Sequence, residues 1–268
     1  DAGLFFLKAP QCLKYLWNRL LLQAKGLIKE INKMINKNFI LLIGIFTIFS
    51  QVSCKPIRNS NRLIIAGSGK ITSLDPAQAS TFHAIQLISA LGDPLYRLNK
   101  EGELIPILAL EKPKITKNRL SILIRLREGI LFHDETPFNA KAMAFSIKRF
   151  MNIGTTNYIL NNRISSVEVI DPYLIEIKLT RPSSSINGLL TSINLTPISP
   201  TAYKNHKNKF LNKEFIGTGP YKLKKFNSHH QILEPFRKYW SIPPNNSGIN
   251  FISLSNSTSL FIALLSKE

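Results

Sequence analysis

Between Leu120 and Leu179 the hydrophobic period of the chain changes from two to 3.6 and back to two, and this succession constrains the fold most. Leu120, Ile122, Ile124 and Leu126 point one way while Ser121, Arg125 and Arg127 point the other, so this stretch is predicted to be a half-buried strand ending near Glu128-Gly129. Thr136-Pro137-Phe138-Asn139 forms a turn with Asn139 as a helix N-cap. The helix after it places Ala140, Met143, Ala144, Ile147, Phe150 and Met151 on one face. Residues 164–180 then return to period two as a hairpin. Val167 and Val169 lead into Asp171-Pro172, and Ile175, Ile177 and Leu179 alternate with Glu176 and Lys178 on the way out. Strand, helix and hairpin in this order predict a mixed α/β chain.

The flanking elements are shorter. Arg62–Ala66 reads as a buried strand stopped by Gly67-Ser68-Gly69. Leu74-Asp75-Pro76 reads as a turn, because the residue before proline avoids the helical region. Residues 80–92 are moderately helical, and Glu101-Gly102 suits the tip of a hairpin or loop. Further on, a short helix is predicted around Ile186–Ile193. Gly217-Thr218-Gly219-Pro220 launches a strand, Tyr221–Phe226, that pairs with Gln231–Pro235.

Ahead of all this stands an apolar run, Phe39–Ser50, with Lys33 and Lys37 before it and Cys54 after it. The run is too short to cross a bilayer as a helix and fits the hydrophobic core of an export signal. Met34-Ile35-Asn36-Lys37 supplies a charged head, which makes residues 34–53 the signal and residues 1–33 an upstream leader. Ser50-Gln51-Val52-Ser53-Cys54 resembles a bacterial lipobox, with Gln51 where an aliphatic residue is usual. Cys54 is therefore the expected lipidation site, and residues 54–61 a polar tether. Two alternatives remain open: a signal cleaved without lipidation, or a buried helix.

Composition narrows the function classes. The 215 residues from Cys54 onward suffice for one large domain or two small ones. Cys54 is the only cysteine among them, which excludes an intramolecular disulfide or a cysteine-built metal site there. The net charge of +19 invites a nucleic-acid hypothesis. The densest basic runs, Lys204–Lys213 and Lys222–Lys225, lack the interleaved aromatic residues that stack on bases, so a solvated basic surface is the expectation and no nucleic-acid partner is assigned.

No catalytic pattern is complete. Gly217-Thr218-Gly219 lacks the third glycine and following helix of a dinucleotide loop, and no phosphate loop is present. His229 and His230 are adjacent and would diverge on a strand, which disfavours a metal site. His133-Asp134-Glu135 has no accompanying nucleophile and reads as a polar turn, and Ser183-Ser184-Ser185 as a loop before a helix. The expectation is a protein with no catalytic residues, no metal and no cofactor.

Five blocks then resemble one family. Leu74-Asp75-Pro76, Asp93-Pro94-Leu95-Tyr96 and Gly102 to Ala109 are similar to the opening of the family 5 extracellular solute-binding proteins, the peptide-binding components of ABC importers. Arg125 to Asp134 with Thr136 to Ala140 looks like the family's signature segment. Val167 to Asp171 followed by Leu179-Thr180-Arg181-Pro182, then Gly217 to Leu223, and finally Tyr239-Trp240 complete the resemblance over residues 62–252. Glu135 stands where the family usually has glycine, so that turn must avoid positive φ or carry strain. Ala142, and Phe236 with Arg237, are further departures.

The resemblance implies an α/β fold of the type II periplasmic-binding-protein kind, with no enzyme activity. Residues 62–95 and 181–268 would belong to the first lobe, 96–180 would form an appended subdomain, and the second lobe would be missing. It implies export, peptides or oligopeptides as ligands, ABC permease subunits as partners, and attachment to the membrane through lipid on Cys54. Gln78–Phe82 would lie at the cleft edge, with Ser80 and Phe82 as ligand-binding residues. A related ligand such as a nickel chelate stays open. So does a second role, that of a truncated, non-transporting remnant or surface-tethered interaction module.

Overall fold

A computed structural model describes residues 61–71, 73–183, 185–205 and 214–266. Cys54, the signal segment 34–53, the leader 1–33 and the tether up to residue 60 lie outside the described residues. In chain order the strands are β1 (Arg62–Ser68), β2 (Tyr96–Leu98), β3 (Leu104–Pro106), β4 (Lys114–Ile115), β5 (Ser121–Arg125), β6 (Ile164–Asp171), β7 (Leu174–Leu179), β8 (Tyr221–Phe226), β9 (His230–Pro235) and β10 (Gly248–Leu254). The helices are α1 (Phe82–Leu91), α2 (Ala140–Ile153), α3 (Tyr158–Asn161), α4 (Ile186–Leu190), α5 (Pro200–Asn205) and α6 (Ser257–Ser266).

The strands form two four-stranded sheets and one two-stranded ribbon. The first sheet has the order β1-β10-β9-β8, the second the order β4-β5-β7-β6, and β2 pairs with β3. Alternation explains the second sheet: Ile122, Ile124, Ile175 and Ile177 are wholly buried, and they pack against Met143 and Ile147 of α2 in one core. Burying each such side chain contributes roughly 1.5–3 kcal/mol. Helix α2 starts at its expected cap, where the Asn139 side chain accepts from Ala142 N at 3.1 Å. A second core joins Leu87, Ile88 and Leu91 of α1 to Leu233, Ile249 and Phe251 of the first sheet.

β1 corrects one expectation. It is not a buried strand: Leu63 and Ile64 are 51% and 53% exposed. It lies at the edge of its sheet and pairs only with β10, in parallel register from Arg62↔Gly248 to Ser68↔Leu254. An apolar run reads the same at a sheet's centre and at its edge.

The segment from β1 to α1 is clamped by contacts from far along the chain. Asp75 caps the 3₁₀ turn Pro76–Gln78 by accepting from Ala77 N at 2.9 Å. Its carboxylate also receives both terminal nitrogens of Arg149 on α2, Nη1 on Oδ1 at 2.6 Å and Nη2 on Oδ2. Both side chains are buried, and the guanidinium stacks over the Tyr203 ring at 4.8 Å. Asn194 Nδ2 donates to Pro76 O at 2.7 Å and to Ala79 O at 2.9 Å.

The turn at Glu135 resolves the alternative posed by the sequence. Its φ is +65°, so the residue carries left-handed strain rather than avoiding it. That strain costs roughly 1–2 kcal/mol. Lys238 Nζ reaches Glu135 Oε2 at 2.6 Å, but both side chains are more than half exposed and such pairs contribute only about 0.5 kcal/mol. Glu135→Gly is expected to stabilise the fold by up to about 1 kcal/mol, the loss of the pair and the extra freedom of unfolded glycine offsetting part of the gain. The urea midpoint should rise; a fall would mean that the ion pair outweighs the strain.

Candidate functional site

Because β1 and β10 are parallel, their carboxyl ends leave the sheet on the same side, where open α/β sheets form ligand crevices. A cavity of about 370 Å³ lies there. Its walls are the end of β1 and the residues after it (66–70), the start of α1 (81–83), Gln86, and Leu260 of α6. Gly67-Ser68-Gly69 lets the backbone leave the strand sharply, with Gly69 at φ +94°. On the opposite wall, Thr81 caps α1 through its hydroxyl, which accepts from Ala84 N at 3.3 Å.

Phe82, the first residue of α1, stands on the rim and is 76% exposed. Ser80 is exposed two residues earlier and does not line the cavity. The structure therefore places Phe82, but not Ser80, on the wall. The cleft edge expected at Gln78–Phe82 included Thr81, whereas Gly67 to Lys70, His83, Gln86 and Leu260 were not expected in the site. The glycine pair closing β1 was the one local sign of a site there.

His83 is the least ordinary wall residue. It is 6% exposed, its ring meets Phe251 edge-on at 5.8 Å, and Nε2 has no hydrogen-bond partner. Gly67 makes room for it, since a Cβ there would strike the imidazole. Burial pushes the His83 pKa below the ordinary value, with the Gln86 side chain acting in the opposite direction, so the ring is neutral at pH 7.

The other polar groups noted in the sequence serve the fold. His133 Nε2 lies 3.0 Å from Gly219 O, and Gly217 N donates to Nδ1 at 3.3 Å, so the imidazole pins the Gly217–Gly219 loop instead of acting with Asp134. Asp134 accepts from the hydroxyls of Thr136 and Ser199, both at 2.6 Å. Gly219 in turn donates to Leu91 O at 3.0 Å, which makes this loop a packing element. Asp93 is wholly buried and accepts from Trp240 Nε1 at 3.0 Å and Tyr239 Oη at 3.2 Å. Among the described residues no group of His, Cys, Asp and Glu side chains could hold a metal ion, and no helix is long and apolar enough to cross a membrane. A second cavity, of about 310 Å³, lies beside Leu223–Phe226.

A sheet whose parallel strands end beside a helix start leaves a crevice in which a ligand can bind. Residues 103–268 match the model for the middle part of the bacterial extracellular solute-binding proteins, family 5, and the chain belongs to that family. The glutathione-binding protein GsiB of Escherichia coli O1:K1 is 28% identical over 211 residues, covering 78% of this chain and 40% of the relative. The periplasmic binding protein DppA from Helicobacter pylori, solved in complex with the peptide STSA, superposes with a TM-score of 0.70 at 23% identity, over 76% of this chain and 45% of that one. NikZ from Campylobacter jejuni, in complex with Ni(L-His), gives 0.69 at 24% identity over 78% and 42%. The fold is thus the mixed α/β fold of the type II periplasmic binding proteins, and the chain spans less than half the length of the relatives it matches.

Proposed function

We propose that the chain is part of the substrate-binding component of a peptide or oligopeptide ABC importer, working outside the cytoplasmic membrane, held there by lipid on Cys54, and passing its ligand to permease subunits. The observation that carries this reading is the open cavity at the carboxyl end of β1, bounded by the first turn of α1, in a member of a solute-binding family. The ligands of the similar proteins include a peptide and glutathione, itself a tripeptide, which favours short peptides over the chelated nickel of NikZ. Backbone groups and an exposed aromatic side chain on the walls suit an extended peptide, whose main chain offers hydrogen bonds whatever its sequence. On this reading residues 62–95 and 181–268 are first-lobe segments and 96–180 the appended subdomain. The separation of β1 and β8–β10 from β4–β7 into two sheets supports that division. Ser80, exposed beside the cavity, is retained with Phe82 as a contact for the ligand's outer residues.

Calorimetric titration of the chain with di- to pentapeptides tests the reading. Saturable binding is expected, with Phe82→Ala weakening it about tenfold, the loss of one aromatic contact. Failure of every peptide to saturate at about 1 mM, the weak end of specific binding, would overturn it. Palmitate incorporation lost in Cys54→Ala, with export retained, tests the anchor.

A further inference from the structure

We infer that the cavity beside β1 takes a carboxylate, and that the anionic end of the ligand lies against Lys70 and the first turn of α1. This rests on the solute-binding reading and specifies which end of the ligand this wall receives.

The wall residues carry the argument. Among the described wall residues Lys70 is the only one with a permanently charged side chain, and none is Asp or Glu. Lys70 is exposed and forms no ion pair among the described residues, so its ammonium is available to a ligand. Opposite it, α1 presents its first turn. Ala84 N is taken by the Thr81 hydroxyl and Ile85 N by Thr81 O, whereas the N–H groups of Phe82 and His83 precede the first intrahelical bond and have no acceptor within the helix. The ten residues of α1 align their peptide dipoles with the positive end toward the cavity. The third observation is His83, 94% buried in the same wall with Nε2 unpartnered. A neutral imidazole carries one N–H and one lone pair, and a buried polar atom left without a partner is costly until something meets it. The Lys70 ammonium and the free helix N–H groups, with no Asp or Glu among the described wall residues, form a donor-rich pole. A ligand ammonium would find no counter-charge there, whereas a carboxylate would find several donors.

The carboxylate could be a peptide's C-terminus or an acidic side chain, and the test separates these sources. The chain is titrated with acetyl-trialanine as the free acid, with the same peptide as its amide, and with an acetylated amide carrying one glutamate. The free acid is expected to bind at least about tenfold more tightly than the amide, the usual advantage of a charge-assisted contact. Lys70→Met should weaken the acid severalfold more than the amide and so shrink the acid's advantage, the remainder coming from the α1 N–H groups; Lys70 is a surface residue, so the fold survives the change. Recovery of affinity by the glutamate peptide assigns the pole to side-chain carboxylates as well. Equal binding of acid and amide, or a preference undiminished by Lys70→Met, overturns the inference and leaves the peptide reading standing. Binding of none of the three overturns both.

Discussion

Replacing Arg149 by methionine is expected to cost about 3–5 kcal/mol, the penalty for leaving a buried carboxylate without its partner. Asp75 is 4% exposed and holds Arg149 through two parallel hydrogen bonds, so the variant retains the carboxylate and loses its only cationic contact among the described residues. Arg149→Lys should recover a minority of the loss, because an ammonium cannot reproduce the fork. Asp75→Asn combined with Arg149→Met should be less damaging than Arg149→Met alone, since no charge is then stranded. Urea unfolding measures all three. The effect should reach the binding site as well: the same aspartate caps the turn leading into Thr81–His83. Hydrogen exchange in Ala77–Gln86 should accelerate in any Arg149→Met that remains folded. A loss below about 1 kcal/mol would place the pair among ordinary surface bridges.

Acid should destabilise the fold through His133. Burial lowers its pKa from 6.5 to about 4, outweighing the hydrogen bonds to backbone carbonyls that favour the charged form. Protonation would also remove the lone pair on Nδ1 that accepts from Gly217 N. Above pH 6.5 the imidazole is neutral in both folded and unfolded chains and its contribution is fully present. As the pH falls from 6.5 towards 4 the unfolded chain takes up a proton that the native one refuses, and stability falls by about 3 kcal/mol. His83 shifts in the same direction, while Asp93, whose carboxyl is pushed up by burial, shifts oppositely. The difference between the parent and His133→Gln therefore isolates the residue. The variant should be less stable at pH 7.5 and lose less on acidification. Parallel pH profiles would contradict the assignment.

Local features were legible before the structure. The Asn139 cap, the core stripe of α2, the β6–β7 hairpin at Asp171-Pro172 and the tip at Gly102 all depend on neighbours within one or two turns of chain. What escaped is what joins distant residues. Asp75 and Arg149 are 74 positions apart, His133 and Gly219 are 86, and Asp93 and Trp240 are 147. No spacing rule marks such pairs, so Asp93 and Tyr239-Trp240 appeared only as separate blocks of a resemblance. The cavity was hidden for the same reason. It exists because β1 pairs in parallel with a strand from the other end of the described chain. The resemblance indicated the cleft edge near Phe82, but only the fold shows that Lys70 and His83 share its wall.

The ligand is expected in one place, the cavity between the end of β1 and the start of α1. Photocrosslinking with a short peptide that carries a benzophenone side chain, followed by mass spectrometry of the labelled fragments, locates the ligand directly. Labelling competed by unmodified peptide and confined to residues 66–70 and 81–86 is the expected result. Specific labelling at the second cavity, beside Leu223–Phe226, or on the β4–β7 sheet would contradict it.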